Sequence, residues 1–94
     1  MYSKGVAIVT GAAQNIGRGI ALRLAEDGFD ISLNDIPSNK ANLDAVAELI
    51  SKKGRRALVT VGGVSKEEVV RQLVQQTVDE LGGLDVVSLC KHSQ

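Results

Sequence analysis

Tryptophan is absent from this chain, and tyrosine, phenylalanine, histidine, proline, methionine and cysteine each occur once. A lone cysteine, Cys90, excludes an internal disulfide and any multi-cysteine metal site, and it fits a reducing compartment. Excess charge of either sign is also missing: eleven Lys and Arg stand against eleven Asp and Glu. Bulk charge therefore favours neither nucleic acid nor an acidic membrane as a partner. No apolar run approaches the roughly 18 residues of a membrane-spanning helix. The opening "MYSKGVAIVTGAA" reaches Gly11 too soon to hold a signal-peptide core, so the expected location is the cytoplasm. What is present is a composition 44% hydrophobic and 23% charged over 94 residues, which reads as one small globular domain. A chain of this size buries roughly 60–70% of its unfolded surface, enough for a thin core.

The apolar pattern alternates between two periods. Val6 to Thr10 ("VAIVT") is a β-branched run, as in a strand buried on both faces. A helix is expected from Ile16 to Glu26, with Ile16, Ile20 and Leu24 on one face, Ala21 and Ala25 beside it, and Gly28 as its stop. Phe29 to Asn34 reads as a second strand, after which Pro37 breaks the chain. Ser38 or Asn39 can cap a second helix whose apolar face is Leu43, Val46, Ala47 and Ile50. Arg56 to Val61 is a third strand. Ser65 and Glu68 have the spacing of a capping box, opening a third helix through Val70, Leu73, Val74, Thr77, Val78 and Leu81. Leu84 to Leu89 reads as a fourth strand.

Strands joined by helices of this length run parallel, with right-handed crossovers. The expectation is an α/β fold, half of a doubly wound sheet with strand order 3-2-1-4. Ligands of such sheets bind beyond the C-terminal strand ends, where the order reverses. That point lies between strands one and four, and the stretch "TGAAQNIGRG" stands at its mouth.

A phosphate needs backbone N–H groups aimed at it and no side chain in the way. The first turn of a helix supplies the N–H groups and a favourable dipole. Gly11 follows the first strand directly, Gly17 opens the helix, and Gly19 is a candidate for close helix–sheet packing. Thr10 can hydrogen-bond within the turn. The pattern is T-G-x-x-x-(G)-x-G with Asn15 in the bracketed place, and asparagine tolerates a left-handed backbone better than other non-glycine residues. The plain alternative is a strand-to-helix corner without a ligand. Asp35, about 20 residues further on, can accept both ribose hydroxyls of an adenosine and would repel a 2′-phosphate, so it favours NAD over NADP. Its plain alternative is a solvated loop acid or a helix cap.

"VTGAAQNIGRGIALRLAEDG" followed by "ISLNDI" resembles the short-chain dehydrogenase/reductase family, and among its members the acetoin/diacetyl reductases and 3-ketoacyl carrier protein reductases. "VSKEEVVRQLVQQTVDELGGLDVV" fits the same family, so the resemblance runs from about Val6 to Val87. It implies a Rossmann-type dinucleotide-binding domain over 1–87, with 88–94 a divergent tail. It implies that Gly11, Gln14, Asn15, Ile16 and Gly17 line the pyrophosphate above Thr10, that Asp35 with Ile36 takes the ribose, and that Gly63 and Val64 stand at the adenine. Gln14 occupies a place where NADP-using members often carry a basic residue, in agreement with Asp35.

The sequence departs from the family in three places. Asn15 replaces the middle glycine. Gly63-Val64-Ser65 stands where the family commonly has an aspartate for the adenine amino group. "SLCKHSQ" replaces the family's "NNAG" continuation. The family's catalytic serine and Y-x-x-x-K lie later still. Tyr2 is the only tyrosine here and no lysine follows four residues on. A nucleophile and base formed by Ser88, Cys90 and His92 would lack an orienting partner and a pocket.

The expectation is therefore the NAD(P)-binding part of a short-chain oxidoreductase, truncated and without chemistry of its own. The alternatives are a non-catalytic nucleotide-binding or interaction module, or a mis-spliced product, since Val87-Ser88 is what a common splice-donor sequence encodes. Strand four would present an apolar edge. The chain is then expected to be a marginal monomer, or to self-associate or pair with relatives through 84–89.

Overall fold

The computed structural model describes residues 4–63 and 67–88. Strand β1 (Gly5–Thr10) is buried along almost its whole length, as expected of an uninterrupted run from Val6 to Thr10 without a charged residue. β2 (Phe29–Asp35), β3 (Ala57–Val61) and β4 (Val86–Ser88) complete one sheet in the order β3-β2-β1-β4. All pairings are parallel. The helices that join them are α1 (Asn15–Glu26), α2 (Lys40–Lys52) and α3 (Glu67–Leu81), and a 3-10 turn at Pro37–Asn39 leads into α2. This is the doubly wound topology that the alternating periods call for.

Strand alternation divides the core between two faces. Ala7, Val9, Ile31 and Leu33 face α1 and α2, where Leu43, Val46 and Ile50 of α2 are fully buried. Ile8 and Ser32 pair in register and face the other side, which α3 covers with Leu73, Thr77 and Leu81. Thr77 Oγ1 lies 2.8 Å from Ser32 Oγ and donates to the Leu73 carbonyl at 2.7 Å, so two buried hydroxyls satisfy one another under the helix.

α1 meets the sheet through a different face from the one its large apolar residues suggest. Gly17, Ala21 and Ala25 are the buried row, Ile20 and Leu24 flank it half-buried, and Ile16 is 75% exposed. Small side chains let the helix backbone sit close to the strands, and the larger residues then wrap its sides. The close approach is what requires glycine at position 17, where a Cβ would overlap the backbone of the turn before the helix. A Cβ on Gly19 would meet nothing within 4 Å.

At the head of α2, Asn39 occupies the N-cap position but makes no side-chain cap hydrogen bond. β4 spans only Val86–Ser88, shorter at its start than the sequence suggests, because the backbone amide and carboxylate of Asp85 instead close the turn on Val6. Leu89 and the capping-box residue Ser65 lie outside the described residues.

Candidate functional site

The register brings the C-terminal ends of three strands level, with Thr10 opposite Asn34 and Asn34 opposite Thr60. The turn that leaves β1 therefore sits beside the exits of β2 and β3. Thr10 is buried at its base. Gly11 has a φ of 63°, in the left-handed region open to glycine. From there the chain passes under the helix it is about to form. A Cβ on Gly17 would overlap the carbonyl oxygen of Gly11, so glycine is required for the turn and the helix to approach this closely.

Two amides of the turn are anchored inward. Ala12 N–H donates to the Asn34 carbonyl at 3.1 Å, and Ala13 N–H donates to Asp35 Oδ2 at 2.9 Å. The next residues face outward. Gln14 is extended, with φ −158° and ψ 168°, and supplies no side-chain cap to α1. Asn15 takes the left-handed conformation at φ 57°, so asparagine performs the backbone task of a glycine here. The side chains of Gln14, Asn15 and Ile16 are exposed. The first amides of any α-helix have no acceptor within the helix. Here no side-chain cap and no first-turn acid serves them. Backbone donors, a positive helix end and a cradle that a Cβ would fill make up the surface that a phosphate group fits.

Asp35 closes the other side. It is 2% exposed, and its carboxylate is already held by the chain. Oδ2 accepts from Ala13 N–H, and Oδ1 accepts from Ile36 N–H at 2.7 Å and from Asn39 Nδ2 at 3.1 Å. Its carbonyl accepts from Gly62 N–H at 3.0 Å, which ties the exit of β3 to the same point. Asp35 is thus neither a solvated loop acid nor a helix cap.

The rim is apolar and open: Ile16, Ile36 and Val61 expose 75%, 39% and 42% of their surface. Gly63 is exposed beyond β3, and Val64 lies outside the described residues. Ser88 ends β4 on the far side of β1, and its proposed companions Cys90 and His92 lie outside the described residues.

Sequence reasoning gave Ala13 no role of its own within the stretch Gly11 to Gly17, and it read Asn39 only as a cap. Ala13 acts through its amide, which leaves no trace in residue type. Asn39 carries a signal that points elsewhere, since asparagine before a helix ordinarily caps it.

The chain matches the family model described as short chain dehydrogenase over residues 5–90. It is 52% identical over 89 residues, 93% of its length, to a short-chain dehydrogenase/reductase of Hericium erinaceus. Among solved structures it is similar to carveol dehydrogenase from Mycobacterium avium in complex with NAD, with a TM-score of 0.81 and 31% identity over 90% of the chain. It is also similar to a blue fluorescent protein from a metagenomic library in complex with NADPH, with a TM-score of 0.85 and 37% identity over 90% of the chain. The chain spans about a third of each relative: 35%, 34% and 35% of their lengths.

Proposed function

The chain belongs to the short-chain dehydrogenase family, and on that premise we propose that it is the dinucleotide-binding portion of an oxidoreductase moving hydride between a nicotinamide cofactor and an alcohol or ketone. The observation that carries this reading is the meeting of two features at level strand ends. One is an uncapped helix start behind a glycine turn, and the other is a buried carboxylate 22 residues from the turn amide it holds. NAD and NADPH in the two solved relatives support a nicotinamide dinucleotide as the ligand class.

In this reading Gly11, Gln14, Asn15, Ile16 and Gly17, above Thr10, receive the pyrophosphate on backbone amides. Asp35 and Ile36 border the adenosine ribose, and Gly63 and Val64 border the adenine. Bound, the cofactor supplies or accepts the hydride. The residues of this chain bind it and orient it across the mouth between β1 and β4. Asp35 gives the preference for NAD over NADP, since its buried negative charge repels a 2′-phosphate. Proton transfer at the carbonyl oxygen requires a positioned donor, and no Y-x-x-x-K occurs in these 94 residues. The reading assigns that step, and the choice of substrate, to the part of the relatives that this stretch does not span. A cytoplasmic location belongs to the same proposal.

Titration of the purified chain with NADH and with NADPH, followed by nicotinamide fluorescence and by melting temperature, tests the reading. A ligand that binds only the folded form raises its stability. Saturable binding with NADH tighter than NADPH is the expected result. Absence of binding by a chain that melts cooperatively overturns the reading.

A further inference from the structure

We infer that Asn39 is a positioning residue of the ribose site: its side-chain amide fixes the Asp35 carboxylate, and through it the discrimination between NADH and NADPH. The inference rests on the dinucleotide reading above.

Asn39 stands at the N-cap of α2, where an asparagine side chain ordinarily accepts a hydrogen bond from an amide of the first helical turn and stabilises the helix. That bond is not made. The side chain turns back across the 3-10 turn, and Nδ2 donates to Asp35 Oδ1 at 3.1 Å. The Ile36 amide reaches the same oxygen at 2.7 Å, while Oδ2 is held by Ala13 at 2.9 Å. Backbone amides hold one carboxylate oxygen each, from the turn and from its own strand end, and Asn39 adds a side-chain donor on Oδ1 that tightens this hold. The arrangement is charge-assisted and buried, the setting in which a hydrogen bond is strongest.

Rotation matters to one ligand more than to the other. A ribose diol is recognised by hydrogen bonds, which weaken steeply as the donor leaves the acceptor's direction. A 2′-phosphate is rejected by charge, and Coulomb repulsion depends on distance and little on rotation. A carboxylate loosened by loss of Asn39 therefore loses the diol while still repelling the phosphate. The signature is a narrowed affinity ratio.

The test uses the 94-residue chain with NADH and NADPH as probes. Asn39→Ala removes the donor. Asn39→Gly also removes it, at a position where glycine starts helices nearly as well as asparagine, so it serves if the alanine variant does not fold. Asn39→Ser retains a donor. The expected result is a loss of NADH affinity of about five- to tenfold in the alanine and glycine variants, with NADPH affinity changed less than about twofold and partial recovery in serine. The amide resonances of Ala13 and Ile36 shift in the same two variants. Equal weakening of both nucleotides alongside a lower melting temperature assigns Asn39 a structural role only and overturns the inference. Unchanged or tightened NADH binding overturns it as well, because Asn39 would then compete with the ribose. If the native chain binds neither nucleotide, the dinucleotide reading itself fails and this inference falls with it. A native chain that binds with an unchanged ratio in the variants refutes the inference alone.

Discussion

A Cβ placed on Gly17 would overlap the Gly11 carbonyl oxygen, whereas one placed on Gly19, two positions along the same helix, would meet nothing within 4 Å. The two glycines thus respond oppositely to the same substitution. Gly17→Ala forces backbone against backbone and is expected to destabilise the chain by about 2–3 kcal/mol, the upper part of the overpacking range. Gly19→Ala fills open space on an exposed helical position and is expected to stabilise it by about 0.5–1 kcal/mol. Urea unfolding of both variants checks the pair. A Gly17→Ala chain as stable as the native one sinks the account of the turn. Asn15 belongs to the same scale. At φ 57° an alanine is expected to cost about 1 kcal/mol, while Asn15→Gly is neutral or slightly stabilising, again read from urea midpoints. The sequence made the turn legible because left-handed positions restrict residue type. It misassigned the close packing to Gly19 because spacing along a chain does not say which glycine passes beneath a carbonyl.

At the scale of elements, α1 shows why apolar spacing alone points to the wrong face. Ile16, Ile20 and Leu24 form the conspicuous row, yet the row against the sheet is Gly17, Ala21 and Ala25, because close approach is marked by small residues. For α2 and α3 the large residues are the contact, and there the pattern reads correctly at Leu43, Val46, Ile50, Leu73 and Leu81. A second element-level tie has no local signal at all. Asp30 on β2 is 3% exposed, and its Oδ2 accepts both Nε of Arg56 at 3.1 Å and Nη2 at 2.9 Å. Nη2 also donates to the Leu81 carbonyl at 3.0 Å, so one guanidinium joins β2, the start of β3 and the last turn of α3. Only strand register brings these residues together. Arg56 remains 60% exposed in its side chain, and its own amide still serves Asp30 Oδ1 at 2.9 Å. Arg56→Ala is therefore expected to cost about 1–2 kcal/mol, less than a wholly buried pair. Arg56→Lys is expected to recover little of it, since a single ammonium cannot span the carboxylate and the carbonyl. Denaturant midpoints of the two variants decide the point, and full rescue by lysine would show that charge alone matters.

At the scale of the molecule, the strand order was legible because alternating helices and strands admit few parallel topologies. The site was legible in part. The glycine turn is a local pattern, but the hold of Asp35 on Ala13 spans 22 residues and exists only once β1 and β2 are in register. The same sheet has an uneven border. Among the described residues β4 hydrogen-bonds to β1 alone, and Val87 at its centre is 51% exposed. An open edge with an apolar residue is a template for another strand. In solution the 94-residue chain is expected to associate through this edge with a second copy as its concentration rises. The single chain has a radius of gyration of 11.8 Å, close to the roughly 12 Å of a compact fold of this length, so a larger scattering radius reports association and not loose packing. Val87→Lys sets a charge on the exposed edge strand and is expected to hold the chain monomeric. Sedimentation velocity on both chains separates the outcomes. A native chain that stays monomeric throughout refutes edge pairing, and a Val87→Lys chain that associates like the native one moves the contact to another surface.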